Sequence, residues 1–93
     1  MKITDIRVKV IDKEDAKLKC VVSMVFDEVF VLHDVKVIES NDGSLFVVMP
    51  SRKIPSGEYK DIAHPLNNKF REYVKEEILA AYNKALAERE NEA

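Results

Sequence analysis

A lone cysteine, Cys20, leaves no partner for an intrachain disulfide, and nothing supplies the several thiolate or imidazole ligands that a zinc site needs. No apolar run approaches the ~18 residues of a membrane-spanning helix. The first residues, Met1-Lys2-Ile3-Thr4-Asp5, lack the apolar core of a secretory signal, so the expected location is cytoplasmic, with no membrane partner. Catalytic signatures are missing too. There is no G-x-S-x-G elbow, P-loop, dinucleotide fingerprint or metal-binding helix motif, and Ser23, Ser51 and Ser56 have no base at a recognisable spacing. Neither enzyme activity nor a cofactor or metal is expected. Glycine and proline are scarce, at two and three residues, and their distribution is informative: all three prolines and one glycine fall between Pro50 and Pro65.

What remains is 46% hydrophobic and 34% charged, the balance of a folded rather than a disordered chain. Its 93 residues suit one domain, 1–93, small enough that a partner chain would help its stability. A net charge of −2 argues against a nonspecific nucleic-acid binder, whose affinity rests on Lys and Arg displacing counterions. The charge distribution argues the other way. Residues 50–71 carry five basic groups against two acidic ones, while the segments before and after are net −2 and −3.

Alternation of apolar and polar residues predicts strands over about 2–49. Ile6, Val8 and Val10 share one face of the first strand, with Asp5, Arg7 and Lys9 on the other. Asp12-Lys13-Glu14-Asp15 reads as a polar turn. Leu18, Cys20, Val22, Met24 and Phe26 share a face of the second strand. Asp27-Glu28 is short enough for a tight hairpin, although it lacks the glycine such turns prefer. Val29 to Ile38 follows as a third strand, Ser40-Asn41-Asp42-Gly43 as a turn and Leu45 to Met49 as a fourth strand; Glu58 to Ile62 is a candidate short edge strand. Turns this short join antiparallel neighbours. A basic loop spans 50–66. Beyond it Phe70, Tyr73, Val74, Ile78, Ala81, Tyr82 and Ala85 recur at helical spacing, predicting a helix from about Asn68 to about Arg89, capped by Asn67 or Asn68. Its acidic last turn, with Glu88, Glu90 and Glu92, opposes the helix dipole and is expected to fray. The fold class is α+β: a four- to five-stranded antiparallel sheet followed by a long C-terminal helix.

One helix covers one face of such a sheet. Val21 and Val25, and the alternating sets Val29, Val31, Val35, Val37 and Phe30, Leu32, Ile38, put apolar residues on both faces. A homodimer through sheet faces or edges would cover the second face; the plain alternative is a mixed, half-exposed surface.

The basic cluster is the candidate site. Arg52 and Lys53 lie on the proline-bracketed loop with Lys60, while Lys69 and Arg71 lie in the first helical turn, whose free N–H groups favour phosphate. Tyr59, between the cations, can stack on a base. The alternative is a solvated loop with Arg52 paired to Glu58 or Asp61. His33 beside Asp34, and His64 after Asp61, can serve as base or pH sensor, but the structural roles are adopted: His64 anchoring the loop at the helix start, His33 within the sheet. Cys20 on an apolar face reads as a small buried hydrophobe.

The strings Met1–Arg7, Phe30–Glu39, Met49-Pro50-Ser51-Arg52-Lys53 and Gly57–Pro65, the last ending in Asp61-Ile62-Ala63-His64-Pro65, closely resemble the SpoVG family of bacterial septation and sporulation regulators. The likeness runs from the N-terminus to the middle of the helix and fades after about Tyr82. It implies a dimer built through the strands, and a regulator of septation, sporulation and gene expression that binds DNA and RNA. It also puts Arg52 and Lys53 forward as contacts to nucleic acid. Lys69 and Arg71, in a more variable stretch, rest on the charge argument. A different class of function stays open: an adaptor engaging division proteins through the acidic helix face of Glu72, Glu76 and Glu77, without nucleic acid.

Overall fold

The structure, a computed structural model, describes residues 1–11 and 16–92, with side chains up to residue 88. The turn expected at Asp12-Lys13-Glu14-Asp15 lies outside the described residues, as do the side chains of Glu90 and Glu92.

Four strands form an antiparallel meander in the order β1 (Ile3–Val10), β2 (Leu18–Phe26), β3 (Phe30–Glu39) and β4 (Leu45–Val48). The α+β expectation holds. The β2 sequence is rich in β-branched and apolar residues, and every second side chain is driven inward: Cys20, Val22, Met24 and Phe26 are buried. From β1, Ile6 and Val8 pair beside Met24 and Val22 and close one side of that layer. The helix α1 (Asn68–Glu92) lays Val74, Ile78 and Tyr82 onto the same layer, flanked by Phe70, Tyr73, Leu79 and Leu86. It continues past the expected end at Arg89. The Tyr73 hydroxyl accepts a hydrogen bond from the Ile3 backbone N–H at 3.0 Å, tying helix to edge strand.

Departures from the expected alternation come from bulges, which insert one residue and reverse the phase. In β3, Val35 pairs with Val22 but Leu32 pairs with Met24, so His33 and Asp34 together oppose Ser23. Asp34 takes up the extra length with φ of +63°. Leu32 before the bulge and Val35 and Val37 after it therefore all face α1, where unbroken alternation had assigned them to two faces. A second shift, between Leu18 and Cys20, pairs Leu18 with Ile38, and Leu18 drops out of the core that alternation predicted for it.

The β2–β3 turn includes Val29 as well as Asp27 and Glu28, so β3 begins one residue later than expected. Asp27 and Glu28 both have positive φ, at 51° and 60°, without glycine. Neighbouring groups hold them there. The Asp27 N–H donates to the Lys2 carbonyl at 2.8 Å, and the Lys2 N–H donates to Asp27 Oδ1 at 3.0 Å. Thr4, at a bulge in β1, accepts from the Glu28 N–H at 3.1 Å and donates to the Val25 carbonyl at 3.3 Å.

The largest correction concerns the basic loop. Residues 51–61 form a separate two-stranded sheet, β5 (Ser51–Lys53) with β6 (Tyr59–Asp61), instead of an open loop with an edge strand added to the meander. The face of the meander turned away from α1 carries Val21 and Val25, half-buried, with Val31 and Phe46 at 46% and 52% exposure. Apolar side chains do occupy both faces.

Candidate nucleic-acid interface

The β5–β6 ribbon follows from the proline and glycine placement. Pro55, with its fixed φ, sits second in the turn Ile54-Pro55-Ser56-Gly57, and the Gly57 N–H donates back to the Ile54 carbonyl at 2.9 Å. Gly57 takes φ of +92°, which costs a residue without a Cβ little. The Ile54 N–H bonds the Glu58 carbonyl at 2.8 Å, and the Ile62 N–H bonds the Pro50 carbonyl at 2.7 Å, closing the two ends of the ribbon.

Register then decides which site residues meet. Arg52 lies directly across from Lys60, and Lys53 across from Tyr59. Side chains alternate along a strand, so Arg52 and Lys60 share one face of the ribbon while Lys53 and Tyr59 share the other. All six residues of the two strands are exposed. Like charges opposite one another oppose ribbon formation, and among the described residues the Arg52–Lys60 pair has no carboxylate to relieve it. The ion pairs found among the described residues are Arg7–Asp5 at 3.3 Å and Lys19–Glu39 at 3.6 Å; Arg52 pairs with neither Glu58 nor Asp61. Arg52 is thus not neutralised by either carboxylate of its own loop.

Lys69 and Arg71 are not part of one compact patch. Two positions apart on a helix, they point to different sides. Lys69 lies beside Lys2 and Met1, whereas Arg71 lies near Pro65 and Phe46 with its Nη2 donating to the Pro65 carbonyl at 3.4 Å. That carbonyl also accepts from His64 Nδ1 at 3.0 Å, which gives His64 the anchoring role expected of it. Asn67 is the cap: its Oδ1 accepts from the Phe70 N–H at 2.7 Å.

The Cys20 thiol is poorly set up for covalent chemistry. Burial pushes the Cys20 thiol up to about 11, only partly offset by its hydrogen bond with the Val37 backbone, so the thiolate nucleophile is suppressed. Burial likewise raises Tyr82, helped by Cys20 and Glu39 nearby. The Asp42 carboxyl is held down to about 2 by hydrogen bonds from Ser40 and Ser44 at the β3–β4 turn. Among the described residues no group of three or more His, Cys, Asp or Glu is arranged to hold a metal. The pairing of Ser23 Oγ with His33 Nδ1 at 2.9 Å was not foreseen from the sequence, because it depends on the β3 bulge. Among the described residues no helix is long and apolar enough to cross a membrane.

Comparison with known proteins adds a family. A family model described as SpoVG matches residues 1–84. The chain is 53% identical over 92 residues to a protein of Clostridium botulinum, covering 99% of each chain. It is 50% identical over 88 residues to one of Clostridioides difficile, covering 95% of this chain and 94% of the relative. It is 54% identical over 87 residues to one of Heliobacterium modesticaldum, covering 94% and 96%. All three carry the name "Putative septation protein SpoVG".

Proposed function

The chain belongs to the SpoVG family, and from that premise we propose that it is a cytoplasmic, dimeric regulator of septation and gene expression that acts by binding nucleic acid. The observation that carries this reading is the β5–β6 ribbon, on which Arg52 and Lys60 stand opposite one another, exposed and, among the described residues, without a carboxylate partner. A two-stranded ribbon is narrow enough to enter a major groove. Its cationic face would meet phosphates or guanine edges, and Tyr59 on the reverse, beside Lys53, would stack on an unpaired base. Lys69 and Arg71 would add flanking phosphate contacts. A second copy of the chain, seated on the apolar sheet face of Val21, Val25, Val31 and Phe46, would double the ribbons, so that one nucleic acid could meet two cationic faces.

The test is a titration of the wild type and an Arg52→Ala/Lys53→Ala variant against random duplex DNA and single-stranded RNA at two salt concentrations, with mass measured in parallel. Affinity should fall steeply with salt, since each neutralised phosphate adds about −0.9 to the logarithmic slope on duplex DNA. The variant should lose about tenfold or more while keeping its melting temperature and dimer mass. Unchanged affinity in a folded variant rejects the ribbon as the site.

One observation favours a second reading. Glu72, Glu76 and Glu77 lie exposed on α1, a separate acidic surface suited to a basic protein partner. Absence of nucleic-acid binding at low salt by a folded dimer would favour this adaptor role in the division machinery.

A further inference from the structure

The helix begins at Asn68, and the segment from Ala63 to Asn67 that leads into it lines one side of a cavity of about 340 Å³. Its inner walls are Met24, Phe26, Leu32, Met49, Phe70 and Val74, and Met1, Phe30 and Leu66 stand at its mouth, 71%, 54% and 92% exposed. That volume is in the range of small-molecule sites and equals the share of about ten water- or methylene-sized groups. Two of the wall residues are methionines, whose unbranched side chains adjust to an apolar guest.

The polar end is equally defined. A shallow depression adjoins the cavity, sharing Met1, Asn67 and Phe70 with it and adding Lys2, Lys69 and Tyr73. Among the described residues no acidic side chain lines either space, and the first turn of α1 contains none. The Asp27 carboxylate accepts from the Lys2 backbone N–H, and the Tyr73 hydroxyl accepts from Ile3. Lys2 and Lys69 thus line a depression that adjoins the apolar hole.

We propose that this cavity binds a free amphipathic organic anion, with an apolar tail of about ten carbons against Met24, Met49 and Phe70 and its acid group between Lys2 and Lys69. Apolar walls with a few convergent charges at the rim select a ligand of that shape over either a neutral hydrocarbon or a small polar anion. The volume takes one tail, which matches a free acid and not a bilayer. Nucleic-acid binding is not required by the proposal. Because Lys69 also belongs to the candidate interface, the rim is tested through Lys2.

The experiment is a titration of the full chain, labelled at the methionine methyls, with straight-chain carboxylates below their micelle concentrations. Decanoate should shift the Met24 and Met49 methyl resonances saturably, one per chain. Affinity should rise about fourfold per added methylene from hexanoate to decanoate and then level off, since each buried methylene contributes a fixed increment until the cavity is full. Ala63→Phe should weaken decanoate at least about tenfold by filling the space. Lys2→Gln should weaken decanoate about threefold and leave decanol unchanged. Still methyls, affinity that keeps climbing through tetradecanoate, or a Lys2→Gln effect shared by decanol each overturn the proposal. Shifts of the same methyls that follow protein concentration and ignore decanoate also overturn it, assigning the cavity to Leu66 or another side chain of a second copy. The chain-length series needs no variant, so it stands even if Ala63→Phe fails to fold.

Discussion

The two sheets of this protein use the same antiparallel pairing to opposite ends. In the meander, β2 is inward-facing at every second position, and its Cys20, Val22 and Met24 are fully buried beneath Ile78 of the helix. In the ribbon, every residue of β5 and β6 is exposed, and two cations face each other across the pair. Burial of apolar area drives the first; the second is held by its ladder, by Pro55 and Gly57 in the turn, and by the Ile62–Pro50 closure. A surface built that way contributes little to global stability, so its side chains are free to be chosen for a partner.

The contrast predicts where damage goes. Ile78→Ala should remove about 2–5 kcal/mol of global stability, because the side chain is enclosed by sheet and helix and the cavity left behind cannot fully collapse. Denaturant unfolding measures it. The ribbon variant Arg52→Ala/Lys53→Ala should stay within about 0.5 kcal/mol of wild type in the same assay. Equal losses at Ile78 and in the ribbon would break the distinction between scaffold and instrument.

A smaller effect sharpens it. A Cβ added at Gly57 meets nothing within 4 Å, so Gly57→Ala introduces backbone strain alone, at φ of +92°. The expected cost is about 1 kcal/mol, confined to opening of the ribbon. Amide exchange at Ile54 and Ile62 should accelerate about fivefold while β2 amides keep their protection. Matching acceleration in β2 would mean that the ribbon and meander unfold as one unit.

Much of this architecture was legible from periodicity. The burial stripe of β2, the helix face and the antiparallel order all follow from spacing, since one apolar face must be covered in each. Other features were not, because they depend on single inserted residues or on pairing partners far away. Nothing local in Leu32-His33-Asp34-Val35 announces that the strand bulges there; the shift is visible only against β2, and it reassigns Val35 and Val37 to the face of Leu32. The ribbon was missed for a different reason. Lys53-Ile54-Pro55-Ser56-Gly57-Glu58-Tyr59 contains a usable hairpin signal, a proline and a glycine two apart between short polar strands, yet strands without an apolar face look like loop. The basic site was legible as composition, while the division of its cations between two ribbon faces and two helix sides required register.

The least effect expected separates the two sheets by chemistry at their turns. The ribbon turn relies on Pro55 and Gly57, which do not titrate. The β3–β4 turn relies on Asp42, whose Oδ1 accepts from the Ser44 N–H at 2.9 Å and from the Ser40 hydroxyl, with Gly43 at φ of +87° between them. These bonds favour the carboxylate, so its value drops from 3.8 unfolded to about 2 folded. A carboxyl depressed by folding stabilises the fold above its unfolded value and loses that contribution as acid protonates it. Wild type should therefore exceed Asp42→Asn in stability near neutral pH, with the difference shrinking as pH falls from about 4 to about 2, a window bounded by the two values. Asp42 is fully exposed, so the margin is small and should fade further in salt. Parallel unfolding curves of the two proteins across that window measure it. A difference that stays constant down to pH 2 would mean that the turn is held by Ser40, Gly43 and Ser44 through their backbones, and that it resembles the ribbon turn after all.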